Sequence, residues 1–501
     1  MACRETLTRR QFLGAATGIS LLTPSLLHAE DQPNIILLMG DDHGWDETAY
    51  NGHPYLHTPI LDEMATTGLR LDRFYATPVC SPTRASVITG RHPNRSGTFS
   101  PGWSTRPEEI GIAKLLADAG YVCGHFGKWH IGPVKASSPT NPGAFGFHTW
   151  LSHDNFFEMN PVFSRDGAPP TRYMGESSEI LAEEVSRFID SAKEKKQPFF
   201  AVVWFGSPHE PYSGYESDLE LYNSQLDLYP EETVSLTSNE TGRRTTRPLS
   251  EVLRERYAEI TAMDRSIGQL RTHLSKQGIR NNTLLWYCGD NGSPQEGMVV
   301  SKLRGGKGRV YEGGIRVPGV IEWPARIQQP MVSDVNTVTH DILPTLCDIA
   351  GQSPPNRPLD GLSLVPVLDG YMTERPDPIC FWRYRTSLET GSDYIDAELQ
   401  KGTTPLVKLL RGIRTRNFQN KHHPTIEEEH YMGARAILDN RYKLVVDGQE
   451  GSGRELFDVR NDPGETRNLV NQENELSEQL AKQLRGWQGS VLNSLTGADY
   501  R

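Results

Sequence analysis

The chain has little positive charge and few cysteines for its length. Its 501 residues include 52 Lys and Arg against 63 Asp and Glu, a formal net charge of −11, and only six cysteines. The negative balance argues against general binding to nucleic acid, which requires a positive surface. So few cysteines do not form a disulfide scaffold. Capture of an anionic substrate would therefore need a local cluster of Lys, Arg, His or metal.

Long apolar runs are also missing after the first 29 residues. No later run approaches the roughly 20 residues of a membrane-spanning helix, so we predict no stable membrane insertion of the mature protein. Near the N-terminus, arginines precede an apolar stretch, and residues 27–29 (LHA) resemble a cleavage site. Residues 8–13 (TRRQFL) are typical of a twin-arginine export signal; an ordinary secretory signal or an uncleaved anchor is the alternative. We therefore predict an exported protein, periplasmic or secreted.

Apolar strands alternate with amphipathic helices over the first two thirds of the chain. Continuous or alternating apolar runs predict strands at 34–39, 69–75, 121–126, 198–205 and 283–288. Helical periodicity and end signals predict helices at 58–68, 109–119, 178–195 and 249–276. This alternation predicts an α/β fold with a large, mixed, mainly parallel sheet flanked by helices.

The character of the sequence changes after about residue 369. The stretch up to residue 430 is irregular and charged, and then two short apolar runs flank Asp439-Asn440, which is a hairpin signal. A helix is predicted near 473–492. We predict three parts: the export signal at 1–29, a catalytic α/β domain at 30–370, and a smaller C-terminal α+β domain of antiparallel strands and a helix at 371–501.

Polar residues follow four of the predicted strands. The four strand ends carry Gly40-Asp41-Asp42-His43, Gly127-Lys128-Trp129-His130, Ser207-Pro208-His209 and Gly289-Asp290-Asn291-Gly292. Ligands bind at the carboxyl ends of such strands, so these side chains are expected at one edge. The donors Asp41, Asp42, Asp290 and Asn291 are all oxygen ligands, which suit Ca²⁺ or Mg²⁺ better than zinc. One such pair alone would often be a cap or a turn, but the four ends together favour a metal-assisted site.

Cys80 lies in the run Cys80-Ser81-Pro82-Thr83-Arg84, just ahead of a short predicted helix. A helix start stabilises an anion and would leave Cys80 in a loop that faces the same edge. The pattern C-x-P-x-R is only moderately specific by itself, because a buried cysteine in a turn also produces it. The other cysteines in apolar or helical contexts are predicted to be buried free thiols: Cys123, Cys288 and Cys347.

The motifs as a set resemble the sulfatase family, arylsulfatase-like members of the alkaline phosphatase-like superfamily. In that family the motif cysteine is oxidised to formylglycine, an aldehyde held as its hydrate. Besides the motifs above, the matching runs are Gly306-Lys307-Gly308, Glu312-Gly313-Gly314, Glu455-Leu456-Phe457-Asp458 and Asp462-Pro463. The resemblance implies hydrolysis of sulfate esters of carbohydrates or aryl alcohols. It also implies a formylglycine-generating maturation enzyme as a partner.

The resemblance further implies a role for each matching residue. One hydrate oxygen of modified Cys80 would attack sulfur as a covalent nucleophile. Arg84 and His130 would hold the hydrate and take a proton from its second hydroxyl, which expels sulfate and restores the aldehyde. The metal, Ca²⁺ or Mg²⁺, would be bound by Asp41, Asp42, Asp290, Asn291 and the modified Cys80.

The substrate side of the site follows from the same resemblance. Lys128 and Lys307 would bind the remaining sulfate oxygens, and His209 would donate a proton to the departing alcohol. Ser152 matches a family position near the sulfate. Four further residues lie in predicted loops: Trp103, Arg106, Glu158 and Arg165. They could line the substrate pocket, or they could be ordinary loop residues without a functional role.

Three alternatives remain open at this point. A phosphonate or phosphate monoester or diester hydrolase shares the same nucleophile and metal site. A non-catalytic sugar-binding relative would have lost site residues, and none is missing here. A chain that is never matured would keep a thiol and have little activity. The polar insertions at 213–247 and 385–432 are the expected pocket-shaping segments, but neither identifies a substrate.

Overall fold

The computed structural model of the protein describes residues 32–238, 241, 243–388, 391–406, 415–448 and 453–500. The predicted export signal lies outside the described residues. The strands are β1 (Asn34–Gly40), β2 (Leu69–Leu71), β3 (Phe74–Tyr75), β4 (Val122–Lys128), β5 (Thr149–His153), β6 (Val162–Arg165), β7 (Thr171–Arg172), β8 (Phe199–Trp204), β9 (Thr233–Thr237), β10 (Arg244–Pro248), β11 (Thr283–Gly289), β12 (Arg316–Val317), β13 (Gly319–Glu322), β14 (Met331–Ser333), β15 (Thr337–Val338), β16 (Ile379–Trp382), β17 (Arg435–Leu438), β18 (Tyr442–Val446) and β19 (Arg454–Asp458).

Helices cover both faces of the main sheet. They are α1 (Pro59–Thr67), α2 (Cys80–Thr89), α3 (Ile112–Asp118), α4 (Ser177–Glu194), α5 (Glu216–Glu220), α6 (Leu249–Lys276), α7 (Glu312–Ile315), α8 (Ile342–Ile349), α9 (Val365–Leu368) and α10 (Asn474–Leu495). Side chains of α2, α3 and α8 pack on one face, and those of α1, α4 and α6 on the other. In the described ranges, no helix combines the length and apolar character that a membrane span requires.

The main sheet has ten strands in the order β14-β2-β13-β11-β1-β8-β4-β5-β6-β7. Its central strands β11, β1, β8, β4 and β5 are parallel to one another, and the flanking pairs are mostly antiparallel. The central strands are buried because their apolar side chains contact helices on both sides. The predicted mixed, mainly parallel α/β sheet is therefore confirmed.

A second, antiparallel sheet lies in the C-terminal part. Its order is β16-β17-β18-β19, and β17 and β18 form the hairpin predicted around Asp439-Asn440. Helix α10 packs apolar side chains, including Leu480 and Leu484, on this sheet. The predicted α+β architecture is thus confirmed, while the boundary at residue 370 stays a prediction.

The structure corrects the predicted strand at 69–75. It contains two short strands, β2 in the main sheet and β3 in a separate sheet with β12 and β15. The chain changes sheet at Asp72, whose backbone carbonyl accepts hydrogen bonds from the Arg316 guanidinium. The apolar alternation continues across this break, so periodicity alone does not detect it.

Because two histidines are buried, we predict that the free energy of unfolding falls in weak acid. Burial lowers the pKa of His53 and of His340 to about 4. The unfolded chain binds more protons between pH 6.5 and pH 4, so stability is lost as pH falls through this window. At pH 5 each histidine should cost about 2 kcal/mol. Thermal unfolding between pH 4.5 and 7.5 checks this. His340→Gln should reduce the loss, and a melting temperature independent of pH would contradict the prediction.

Candidate active site

The strand register brings the predicted polar residues to one edge of the sheet. Gly40 at the end of β1 pairs with Gly289 at the end of β11, and β4 and β8 run parallel beside them. Asp42 and His130, which follow two of these strands, have φ angles of 63° and 60°. Non-glycine residues rarely adopt the left-handed region, and such backbone is concentrated at functional sites.

Three carboxylates and one amide form a buried group at this edge. The Asp42 backbone N–H donates to Asp290 Oδ1 at 2.8 Å, and Asn291 Nδ2 donates to Asp42 Oδ1 at 2.9 Å. Candidate ligand atoms of Asp41, Cys80 and Asp290 all lie within 4.8 Å of one another. Burial and the neighbouring Asp41 raise the pKa of Asp290 to about 8. These carboxylates therefore repel one another, and a cation would relieve the repulsion.

The donor set fits a hard divalent cation. Asp41 Oδ1 and Asn291 Oδ1 are buried and have no hydrogen-bond partner among the described residues. A buried oxygen without a partner is costly, and metal coordination would satisfy it. Asp41, Asp42, Asp290 and Asn291 offer only oxygens at this edge, which matches the preference of Ca²⁺ and Mg²⁺.

Two lysines contact the carboxylates directly. Lys128 Nζ lies 2.5 Å from Asp41 Oδ2, and Lys307 Nζ lies 2.6 Å from Asp42 Oδ2. Burial acts to raise the pKa of Asp41, but the positive charge of Lys128, together with smaller contributions from His209, Arg84 and Asp290, outweighs it and holds this pKa well below the usual range. Burial acts to lower the pKa of Lys307, but Asp42 and the neighbouring Cys80 and Asp41 together reverse the effect and raise it. Both aspartates are therefore ionised, and Lys307 remains cationic in the cluster.

Cys80 is buried in this cluster, and its side chain is 1% exposed. Helix α2 begins at Cys80 itself, so the residue lies in the first helical turn and not in the predicted preceding loop. Its Sγ lies 3.5 Å from His130 Nδ1. Burial raises the pKa of the Cys80 thiol, so the thiolate is disfavoured. The unmodified side chain is therefore poorly suited to act as a nucleophile at neutral pH.

Arg84 connects the helix to two strand ends. Its fully buried guanidinium donates to the Lys128 carbonyl at 3.0 Å and to Asp290 Oδ2 at 2.8 Å. The same group lies over the Trp204 ring, 5.0 Å from the ring centroid. Charge-assisted bonds of this kind fix the relative position of their partners. Arg84 therefore fixes Cys80, one helical turn away, relative to the carboxylates.

The two histidines of the site are buried and neutral. Burial and the neighbouring Lys128 lower the pKa of His130 well below its ordinary value. Burial and Lys307 lower the pKa of His209 to about 4. His209 Nδ1 lies 2.5 Å from the Glu210 carbonyl oxygen, and Nε2 lies 3.2 Å from Lys307 Nζ. An anion bound beside Lys307 would raise the pKa of His209 and favour its protonated form.

Ser152 is not brought into this cluster. Its Oγ lies 2.7 Å from His125 Nδ1, and both side chains are fully buried. Of the suggested pocket residues, Arg165 forms a surface ion pair with Glu184, and Arg106 donates to the Leu495 carbonyl. Trp103 packs against Phe99, and Glu158 is buried. Within the described ranges, the side chains of Trp103, Arg106 and Arg165 form no hydrogen bond or ion pair with the residues of the cluster.

Two other residues reach the site without any sequence signal. The Phe156 ring stacks on His209, with centroids 4.6 Å apart and planes 13° from parallel. Arg416, in the insertion at 385–432, contributes with Lys128 to the lowered pKa of His130. Strand-like pairing of Trp103 with Gln419 holds the Arg416 segment here. Only the folded chain reveals these contacts, because both residues lie in loops outside any motif.

Comparison with known proteins gives consistent results. A family model described as Sulfatase matches residues 33–352. N-acetylgalactosamine-6-sulfatase of Mus musculus is 30% identical over 444 residues, which cover 80% of this chain and 78% of the relative.

Solved structures share the fold at lower sequence identity. The structure of Ps i-CgsB in complex with k-i-k-neocarrahexaose has a TM-score of 0.73 at 21% identity, covering 93% of this chain and 94% of that one. The phosphonate monoester hydrolase of Agrobacterium radiobacter has a TM-score of 0.64 at 21% identity, covering 93% and 97%.

Proposed function

The chain belongs to the sulfatase family and is a sulfuric ester hydrolase, and we propose that it removes sulfate from sulfated carbohydrates through a formylglycine made from Cys80. The observation that supports this most strongly is the burial of Cys80 among Arg84, His130 and the Asp41–Asp290 carboxylates. A thiol there is a poor nucleophile, whereas its oxidised form would stand in the centre of the charged groups.

The residues of this chain have separable tasks in the proposed reaction. A Ca²⁺ or Mg²⁺ ion held by Asp41, Asp42, Asp290 and Asn291 would draw negative charge from the sulfate oxygens, and the aldehyde hydrate at position 80 would supply a nucleophilic hydroxyl. Lys128 and Lys307 place positive charge beside the sulfate, which stabilises the charge that develops in the transition state.

Proton movement falls to the two histidines. Once the bound sulfate has raised its pKa and favoured its protonated form, His209 donates a proton from Nε2, which lies 3.2 Å from Lys307 Nζ, to the oxygen of the departing alcohol. His130 Nδ1, 3.5 Å from the Cys80 sulfur, accepts a proton from the side chain at position 80. Phe156 stacks on His209 and keeps its ring oriented and shielded from water. Arg84 holds the Asp290 carboxylate and the Lys128 backbone in place. Ser152 would contact sulfate only if its hydroxyl gave up the hydrogen bond to His125 and formed one to a sulfate oxygen instead.

Two observations favour carbohydrate esters over small aryl sulfates. The relative that spans 80% of this chain is named for the 6-sulfate of N-acetylgalactosamine. One structural neighbour was solved in complex with k-i-k-neocarrahexaose. Export by the predicted signal at 1–29 would bring the enzyme to extracellular polysaccharides, and a formylglycine-generating enzyme would act on Cys80. Residues 30–370 would form the catalytic domain, and residues 371–501 a smaller domain beside it.

Parallel kinetics separate this function from phosphonate or phosphate ester hydrolysis; one structural neighbour is named a phosphonate monoester hydrolase. We expect kcat/KM for 4-nitrophenyl sulfate to exceed that for 4-nitrophenyl phenylphosphonate by at least about tenfold, a transition-state difference of about 1.4 kcal/mol. A preference for the phosphonate would overturn the proposal. Release of sulfate from defined carrageenan, ulvan, fucoidan and glycosaminoglycan oligosaccharides then identifies the sugar. Activity on aryl sulfates alone would contradict the carbohydrate assignment.

A further inference from the structure

Most arginines of the described chain lie against a carboxylate. Buried examples are Arg84 with Asp290, Arg256 with Glu47 and Arg375 with Asp341. Some described arginines form no ion pair with a described carboxylate, and two of these, Arg309 and Arg383, lie close together, because Arg383 donates to the carbonyl of Gly308, the residue before Arg309. In a chain of net charge −11, two arginines left without acidic partners mark a local excess of positive charge.

These two arginines adjoin Lys307 of the site. Arg383 Nη1 donates to the Gly308 carbonyl at 2.5 Å, and Gly308 lies between Lys307 and Arg309. The Gly308 N–H in turn donates to the carbonyl of Pro78, two residues before Cys80. The Arg383 guanidinium is therefore fixed to the same loop that presents Lys307 to the carboxylate cluster.

The backbone of this loop is adapted to the close approach. Gly308 has a φ of +86°, and a Cβ atom at this position would lie 3.1 Å from Arg383 Nη1. Any larger residue would be strained and would push the guanidinium away. At its other end Arg383 is anchored by its N–H, which donates to the Ala434 carbonyl next to β17. The C-terminal sheet thus holds Arg383 in position.

The two positive charges also disfavour each other. Desolvation and the neighbouring Arg309 lower the pKa of Arg383. Like charges held close together without a counter-ion are unfavourable, and a bound anion removes this cost. A guanidinium binds carboxylate and sulfate oxygens through several hydrogen bonds in one plane, which makes Arg the suitable residue for such an anion.

Building on the proposed sulfatase function, we propose that Arg309 and Arg383 form a second anion-binding subsite beside Lys307. It binds a carboxylate or sulfate group on the substrate other than the ester that is cleaved. A polyanionic oligosaccharide would then bind both the sulfate-cleaving site and the arginine subsite. A substrate with a single charge would bind only the sulfate-cleaving site. The acidic surface elsewhere would disfavour binding outside this region.

Binding of heparin tetrasaccharide to the full chain tests this proposal, measured by titration calorimetry at fixed ionic strength. Arg309→Gln combined with Arg383→Gln should raise its Kd at least about tenfold, because the variant loses the charge-assisted hydrogen bonds of two guanidinium groups. The same variant should keep kcat/KM for 4-nitrophenyl sulfate within about twofold, since that substrate carries no second charge. The matched control is Arg460→Gln, which removes an exposed arginine paired with Asp334 and should change neither quantity.

Each result has a distinct meaning. An unchanged Kd in the double variant, or no binding to the wild-type protein, overturns the subsite. An equal loss of binding and of aryl sulfate turnover also overturns it, because the arginines would then support the whole site. Failure of the proposed function is a separate observation: the wild-type protein would bind the tetrasaccharide but would not hydrolyse 4-nitrophenyl sulfate.

Discussion

Replacing Cys80 by alanine should lower kcat for 4-nitrophenyl sulfate by about 10⁴-fold or more, the scale on which loss of a covalent nucleophile is felt. Alanine has no thiol, so it cannot be oxidised to the formylglycine that would act as the nucleophile. The side chain is small and buried, so the fold should survive with at most a modest loss of stability. Steady-state kinetics and thermal unfolding of the same preparation measure both effects.

Cys347→Ala is the matched control for this prediction. Cys347 is equally buried, but it lies in α8 and packs in the apolar core on one face of the main sheet. It should lose a similar amount of stability and keep its kcat. Retention of wild-type kcat in Cys80→Ala would contradict the assignment of the nucleophile. Equal loss of kcat in both variants would show that packing is responsible.

Asp42→Asn should abolish the response of the protein to Ca²⁺ and lower kcat/KM by about 10³-fold, since a bound metal contributes several kcal/mol to such reactions. Asparagine keeps the shape of the side chain and tolerates the left-handed backbone at this position. In the wild-type protein, Ca²⁺ at 100 times its Kd should stabilise the fold by about 2.7 kcal/mol after treatment with a chelator. In the variant this thermal shift should be absent.

The same loop provides a control in Asp46→Asn. Burial raises the pKa of Asp46 to about 6, and this carboxylate lies outside the Asp41–Asp290 cluster. The control variant should keep both the Ca²⁺-dependent shift in melting temperature and the activity. The metal assignment would be contradicted if neither chelator nor Ca²⁺ changed the melting temperature or the activity of the wild-type protein.

The main sheet and the centre of the site are readable from the sequence because their signals are local. Strands such as β1 and β11 are continuous apolar runs, and the residues after them carry the carboxylates and the amide. Helix α6 has the predicted bounds, because its apolar periodicity is long and uninterrupted. Once the strands are parallel, the convergence of their carboxyl ends follows from geometry.

Features that depend on distant contacts were not predictable in the same way. Strand β16 lies in a stretch predicted to be irregular, and it is a strand because β17 provides its hydrogen bonds. Ser152 follows a sequence match, yet it faces His125 instead of the carboxylates. Arg416 reaches the site from the insertion at 385–432, and Arg383 adjoins the site directly after strand β16; neither lies in a motif. Their positions are determined by backbone pairing with Ala434 and Trp103, which no local pattern encodes.

The most direct test of the central claim is the mass of the tryptic peptide that spans residues 74–84, taken from catalytically active protein. Conversion of Cys80 to formylglycine should make this peptide about 18 Da lighter than its cysteine form. The fraction of converted peptide should rise in proportion to specific activity across preparations. Full sulfatase activity in protein whose Cys80 remains entirely a thiol would contradict the account.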